Sequence, residues 1–197
     1  MVRTPEELER TAYHEAGHAV MAALTPGYDE VAKVTIIPRS NGAGGFTLFT
    51  PSEERLESGM YSKRYLEGQL AVALGGRVAE EIIFGEEEVT TGASNDLQQV
   101  RSIARRMVAQ WGFGSSNLGG APVAWETPEG NGAFGPQAAS PSTEAAIDAE
   151  VQRVVEAAYD KCYATLTEHQ ALLESLTEGM LEHETLDVSQ PKTSLRN

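Results

Sequence analysis

Two of the chain's four histidines stand in the run His14-Glu15-Ala16-Gly17-His18. Residues four apart share one face of a helix, so both imidazoles can reach a single metal ion from the same side. Glu15, next to the first imidazole, can then reach a water on that metal. This is the zincin arrangement. A zinc ion with three protein ligands lowers the pKa of its water to about 7 and polarises a peptide carbonyl. The glutamate takes the water's proton and passes it to the leaving amine. The competing account is a solvated helix face carrying two ordinary histidines. The motif's position, mid-helix and among apolar residues, favours the metal.

A third ligand has to come from elsewhere. The longer metzincin pattern would need Gly at 21 and His at 24, but those positions are Met21 and Leu24, which removes that subclass. His169 and His183 lie in late helical stretches without a partner at ligand spacing and read as surface histidines. A carboxylate is the better candidate. Among five aspartates, Asp96 follows Gly92-Ala93-Ser94-Asn95 at the entry to a helix, where it could serve either as ligand or as helix cap. Glu80 and Glu81 compete with it. An adjacent glutamate pair is commonly a solvated face, but one member could orient a ligand imidazole from behind. The residues alone leave these choices open.

Positioning such a site requires a helical frame, and the chain supplies one. Thr4-Pro5-Glu6-Glu7 is a helix start, with Thr as N-cap and Pro at the first helical position, and the helix should run to Leu24, ahead of Thr25-Pro26-Gly27. Val31 to Pro38 and Phe46 to Thr50 read as two short strands around a Gly-rich loop, either a hairpin or two edge segments. Glu53 to about Phe84 reads as two helices. A further amphipathic helix follows Ser94-Asn95-Asp96 and ends near Trp111-Gly112. Residues 112–142 are Gly- and Pro-rich and read as a long loop. From Ser142 to about Glu184 two antiparallel helices are expected, and residues 188–197 form a polar tail. The expected fold is mainly α, a helical zincin-type domain of one unit (about 5–186 as core) with a small β-hairpin or sheet near the motif-bearing helix.

Composition narrows the partners. Fifteen Lys and Arg against 29 Asp and Glu give a formal charge of -14, which repels phosphate backbones and argues against nucleic acid. Cys162 is the lone cysteine, so no internal disulfide can form; it reads as inert core in a reducing compartment. No apolar run approaches a membrane span, and the N-terminus lacks the pattern of a signal peptide.

These features together resemble the peptidase domain of the FtsH family, membrane-anchored ATP-dependent zinc proteases of bacteria, chloroplasts and mitochondria. The matching segments are Ala12 to Ala19, Val34-Thr35-Ile36-Ile37-Pro38-Arg39, Phe49 to Arg55, Val72 to Ile82 and Thr90 to Leu97, in family order over roughly residues 8–186. The resemblance implies His14, His18 and Asp96 as ligands of one zinc ion and Glu15 as general base, with Glu80 and Glu81 left as candidates behind the ligands. It also implies polypeptide substrates, aligned by main-chain pairing along Phe46, Thr47 and Leu48. A homo- or hetero-hexameric ring on the cytoplasmic, stromal or matrix face of a membrane is expected. A full-length member carries transmembrane segments and an ATPase module. No Gly-x-x-x-x-Gly-Lys-[Ser/Thr] run occurs here, so ATP and membrane contact are expected only through parts outside this chain.

Overall fold

The structure, a computed structural model, describes residues 3–40, 42–114, 118–127 and 139–187. Helix α1 spans Pro5–Leu24 and begins as its residues dictate. Thr4 Oγ1 accepts from the Glu7 amide, and Glu7 returns the bond by accepting from the Thr4 amide, so two of the four unpaired donors of the first turn are satisfied. Strands β1 (Glu30–Thr35) and β2 (Phe46–Thr50) pair antiparallel, with a register shift between Val31 and Lys33. A third strand, β3 (Thr185–Asp187), pairs antiparallel with the other side of β1, which leaves β2 on an edge of the sheet.

Helices α2 (Glu53–Ser58) and α3 (Lys63–Phe84) follow, each capped by a serine hydroxyl, Ser52 and Ser62. Two 3-10 turns, Glu86–Glu88 and Thr91–Ala93, lead into α4 (Ser94–Ala109). Helices α5 (Pro141–Glu168) and α6 (Gln170–His183) come next and lead into β3. The fold is mainly α with one small antiparallel sheet, as the sequence implies. No helix among the described residues is long and apolar enough to cross a membrane.

Three details differ from the sequence reading. β1 stops at Thr35, short of Pro38. β3 is absent from that reading because three residues straight after a helix show no alternation; the turn into it is made at Glu184, with φ 60°. The two late helices are joined through the single residue His169, too short a link for a helical hairpin, and α6 packs chiefly on α1. Of the expected long loop over 112–142 only 112–114, 118–127 and 139–142 are described, and α5 already begins at Pro141. Trp125 and Glu126 return their amides to the Ala109 carbonyl, and Arg105 ties Glu126 to Glu144 of α5. Residues 115–117 and 128–138, and the tail at 188–197, lie outside the described residues.

The centre of the molecule is the crossing of α1 and α3. A methyl group at Gly17 would stand 2.2 Å from the Gly75 carbonyl oxygen, and one at Gly75 would stand 2.6 Å from the Gly17 oxygen. The two backbones therefore touch, which only glycine on both sides permits. Around this crossing Ala12, Ala16, Leu70, Ala71 and Val78 are fully buried, and α4, α5 and α6 add Met107, Leu166 and Leu173. Each such large apolar side chain stabilises the fold by roughly 1.5–3 kcal/mol on removal from water.

Candidate metal centre

His14 and His18 project from one face of α1 into a cleft of about 910 Å³ bounded by α3, α4, β2 and the loop before β2. His18 Nδ1 lies 2.7 Å from the Val72 carbonyl, which can only accept, so this nitrogen carries the proton and Nε2 presents a lone pair. His14 Nδ1 lies 2.8 Å from Glu80 Oε1, with the same consequence for its Nε2. The two Nε2 atoms stand 3.1 Å apart. Asp96 Oδ2 stands 3.1 Å from that of His14 and 3.4 Å from that of His18.

Three acceptors thus face one another in a largely buried place, where acceptor against acceptor is repulsive unless a positive charge sits among them. Tetrahedral zinc with bonds of about 2.05 Å separates its ligands by about 3.3 Å, the spacing these three atoms already have. The donor set, two imidazoles and a carboxylate, suits zinc and fits the cluster.

A proton on His14 Nε2, donated to Asp96, is the other way to put positive charge among these atoms, and it competes with a metal ion for the same lone pair. Burial opposes a charged His14, yet its bonds to Asp96 and Glu80 outweigh this and its pKa is pushed up to about 10. Burial pushes Asp96 upward too, but bonds from His14 and His18 hold its carboxyl far below the usual range. Glu80 is lowered against its own burial by His14 and by the amide and hydroxyl of Thr90.

Asp96 sits in the first turn of α4 without capping it. The N-cap is Ala93, which makes no side-chain cap bond, and Asp96 turns into the cleft. Glu80, 2% exposed, stands behind His14, with Oε2 accepting from both the amide and the hydroxyl of Thr90 at 2.9 Å. Glu81 points elsewhere and accepts from Tyr159 of α5 at 2.6 Å. Glu15 lines the cleft and accepts from Thr47 Oγ1 at 2.8 Å. Phe46 and Thr47 also line the cleft, with the Arg39 guanidinium over the Phe46 ring; Leu48, on the face of β2 opposite Thr47, is exposed. His169, between α5 and α6, bonds the Thr165 carbonyl of α5, and His183 lies beside Glu182, both away from the cluster.

Several residues around the cluster carry no flag in a reading by motif. Val72 acts through its carbonyl, which no side-chain pattern reveals. Thr90 bonds Glu80, which in turn bonds His14, so it stands one step removed from the cluster. Gly76 does have a signal, since a mid-helix Gly-Gly pair costs helix stability and implies a close approach. A methyl group at Gly76 would stand 2.5 Å from His14 Cε1 and Nε2.

The model of peptidase family M41 matches residues 1–193. The chain is 54% identical over 191 residues, 94% of its length, to "ATP-dependent zinc metalloprotease FtsH 3" of Synechocystis, of which it covers 30%. It is 52% identical, again over 94% of its length, to "ATP-dependent zinc metalloprotease FTSH 1, chloroplastic" of rice, of which it covers 27%. A third relative, "ATP-dependent zinc metalloprotease FtsH 3" of Conexibacter woesei, is 47% identical over 189 residues, 95% of this chain and 24% of that protein. The chain spans less than a third of the length of these curated relatives. On the family match and these identities, the chain belongs to peptidase family M41, as an FtsH-type peptidase domain.

Proposed function

We propose that this chain is a zinc-dependent endopeptidase domain in which His14, His18 and Asp96 hold the ion, Glu15 is the general base and Glu80 orients His14. The observation that carries the reading is the convergence of three acceptor atoms within 3.1–3.4 Å beside a glutamate on the same helix. A zinc ion bound there would supply Lewis acidity to a water and to the scissile carbonyl. Glu15 takes the proton of the attacking water and delivers it to the departing amine. Glu80 and the Val72 carbonyl keep both Nδ1 protons in place, which would leave the Nε2 lone pairs to hold a zinc ion.

The free edge of β2, over Phe46, Thr47 and Leu48, aligns an extended polypeptide by main-chain pairing, a mode that tolerates many sequences. The relatives' names couple zinc proteolysis to ATP. We read this chain as one peptidase domain, with its core over about 5–186, serving as the proteolytic part of an ATP-dependent quality-control protease. Its substrates are unfolded or delivered membrane and soluble proteins. It acts in a homo- or hetero-hexamer at the cytoplasmic, stromal or matrix face of a membrane, with ATP turnover by another module.

Glu15→Gln tests the reading. The variant should bind one zinc per chain and lose cleavage of casein and of short peptides. Cleavage that persists in the purified variant removes Glu15 from the base role. A zinc-loaded parent chain that cleaves neither substrate would leave a ring-forming scaffold as the better account.

A further inference from the structure

A glutamate has three side-chain torsions, and a base that wanders among their rotamers is seldom within reach of its water. Glu15 does not have that freedom. Thr47 Oγ1, on β2, lies 2.8 Å from Glu15 Oε2. The same hydroxyl lies 3.3 Å from the Glu15 carbonyl oxygen, but it has one proton, and the shorter contact to the charged oxygen takes it. Two residues earlier, Gly45 packs on the stem of Glu15. A methyl group there would stand 3.0 Å from Glu15 Cγ and 2.5 Å from the Thr35 oxygen, so the backbone leaves no room for a side chain. Glu15 is 7% exposed, and little water competes for the bond.

We propose that Thr47 is a positioning residue for Glu15. Its hydroxyl donates to Oε2, fixes the carboxylate against Gly45, and leaves Oε1 to receive the proton of the attacking water. The inference rests on the peptidase reading for the role of Glu15. It gives the Thr47 side chain a role within the protein, beside the main-chain pairing with substrate already proposed for this residue.

The test compares Thr47→Val, which keeps the shape and loses the donor, with Thr47→Ser, which keeps the donor. The full chain is loaded with zinc and assayed on a short fluorogenic peptide. Loss of a hydrogen bond to a charged group should lower kcat about tenfold in the valine variant with KM unchanged, and serine should restore most of the rate. Zinc should stay at one per chain in all three proteins. Crystal structures of the metal-free variants give a readout independent of activity: the Glu15 carboxylate should leave its position in the valine variant and keep it in the serine variant. Three results would overturn the proposal: an unchanged kcat with Glu15 in place, a rise in KM alone, or a serine variant as slow as the valine one. A parent chain without zinc or cleavage would end the peptidase reading, and the crystallographic comparison would still decide whether Thr47 holds Glu15.

Discussion

Glu80 binds His14 with one oxygen and Thr90 with the other: Oε1 is 2.8 Å from His14 Nδ1, and Oε2 takes both the amide and the hydroxyl of Thr90. One buried carboxylate therefore ties a candidate ligand on α1 to the turn that delivers Asp96 on α4. Replacing it by Glu80→Gln keeps the shape but sets an amide N–H2 against donors on one side. Zinc affinity should fall about 10–100-fold, the usual cost of losing a partner behind a ligand. Competition with a chromophoric chelator measures it, and an unchanged affinity would remove Glu80 from the site.

Asp96→Asn separates ligand from scaffold. The amide is nearly isosteric but a far weaker zinc donor, and Asp96 does not cap α4, so the helix loses little. The expected result is substoichiometric zinc after dialysis with the helical circular dichroism intact. Full zinc retention would return the third-ligand role to another carboxylate.

At Gly76, Ala would bring a methyl group to 2.5 Å from the His14 ring. The ring must turn away from His18 and Asp96, so Gly76→Ala should lose zinc by at least about tenfold while overpacking costs roughly 1–3 kcal/mol. Gly17→Ala strikes backbone instead, 2.2 Å from the Gly75 oxygen, and should lower Tm more than Gly76→Ala does. Metal content and thermal melting of the two variants, side by side, distinguish a site effect from a fold effect.

The frame of this domain was legible where local chemistry is self-sufficient. Thr4-Pro5-x-Glu7 specifies the start of α1, and the β-branched run before the Gly-rich loop marks β1. Asp96 illustrates the limit. Its position in the first turn of a helix is equally that of a capping residue, and only the approach of α4 to α1 distinguishes the two. Glu80 and Glu81 differ by 100° around α3, so one meets His14 and the other Tyr159. Which faces the cleft depends on the rotation of α3, set by the Gly17–Gly75 contact. β3 and the Val72 carbonyl left no mark because their roles are played by main chain.

Cys162 offers a control on the chemistry. It is fully buried in α5, and burial alone pushes its thiol up to about 12 from an ordinary 9.0. A raised value means that the folded chain holds this proton longer than the unfolded one, so the associated stability is complete below pH 9 and is lost as pH rises from 9 towards 12. Near pH 8 the thiolate is scarce and shielded, and iodoacetamide should leave the folded chain unmodified while labelling it once after denaturation, as read by intact mass. A thiol so protected cannot act as a nucleophile or compete for the ion. The same reagent should therefore leave peptide cleavage unchanged, whereas 1,10-phenanthroline should abolish it and added zinc should restore it. Inhibition by the alkylating agent without unfolding would place Cys162 in the reaction and displace the metal from the centre of the mechanism.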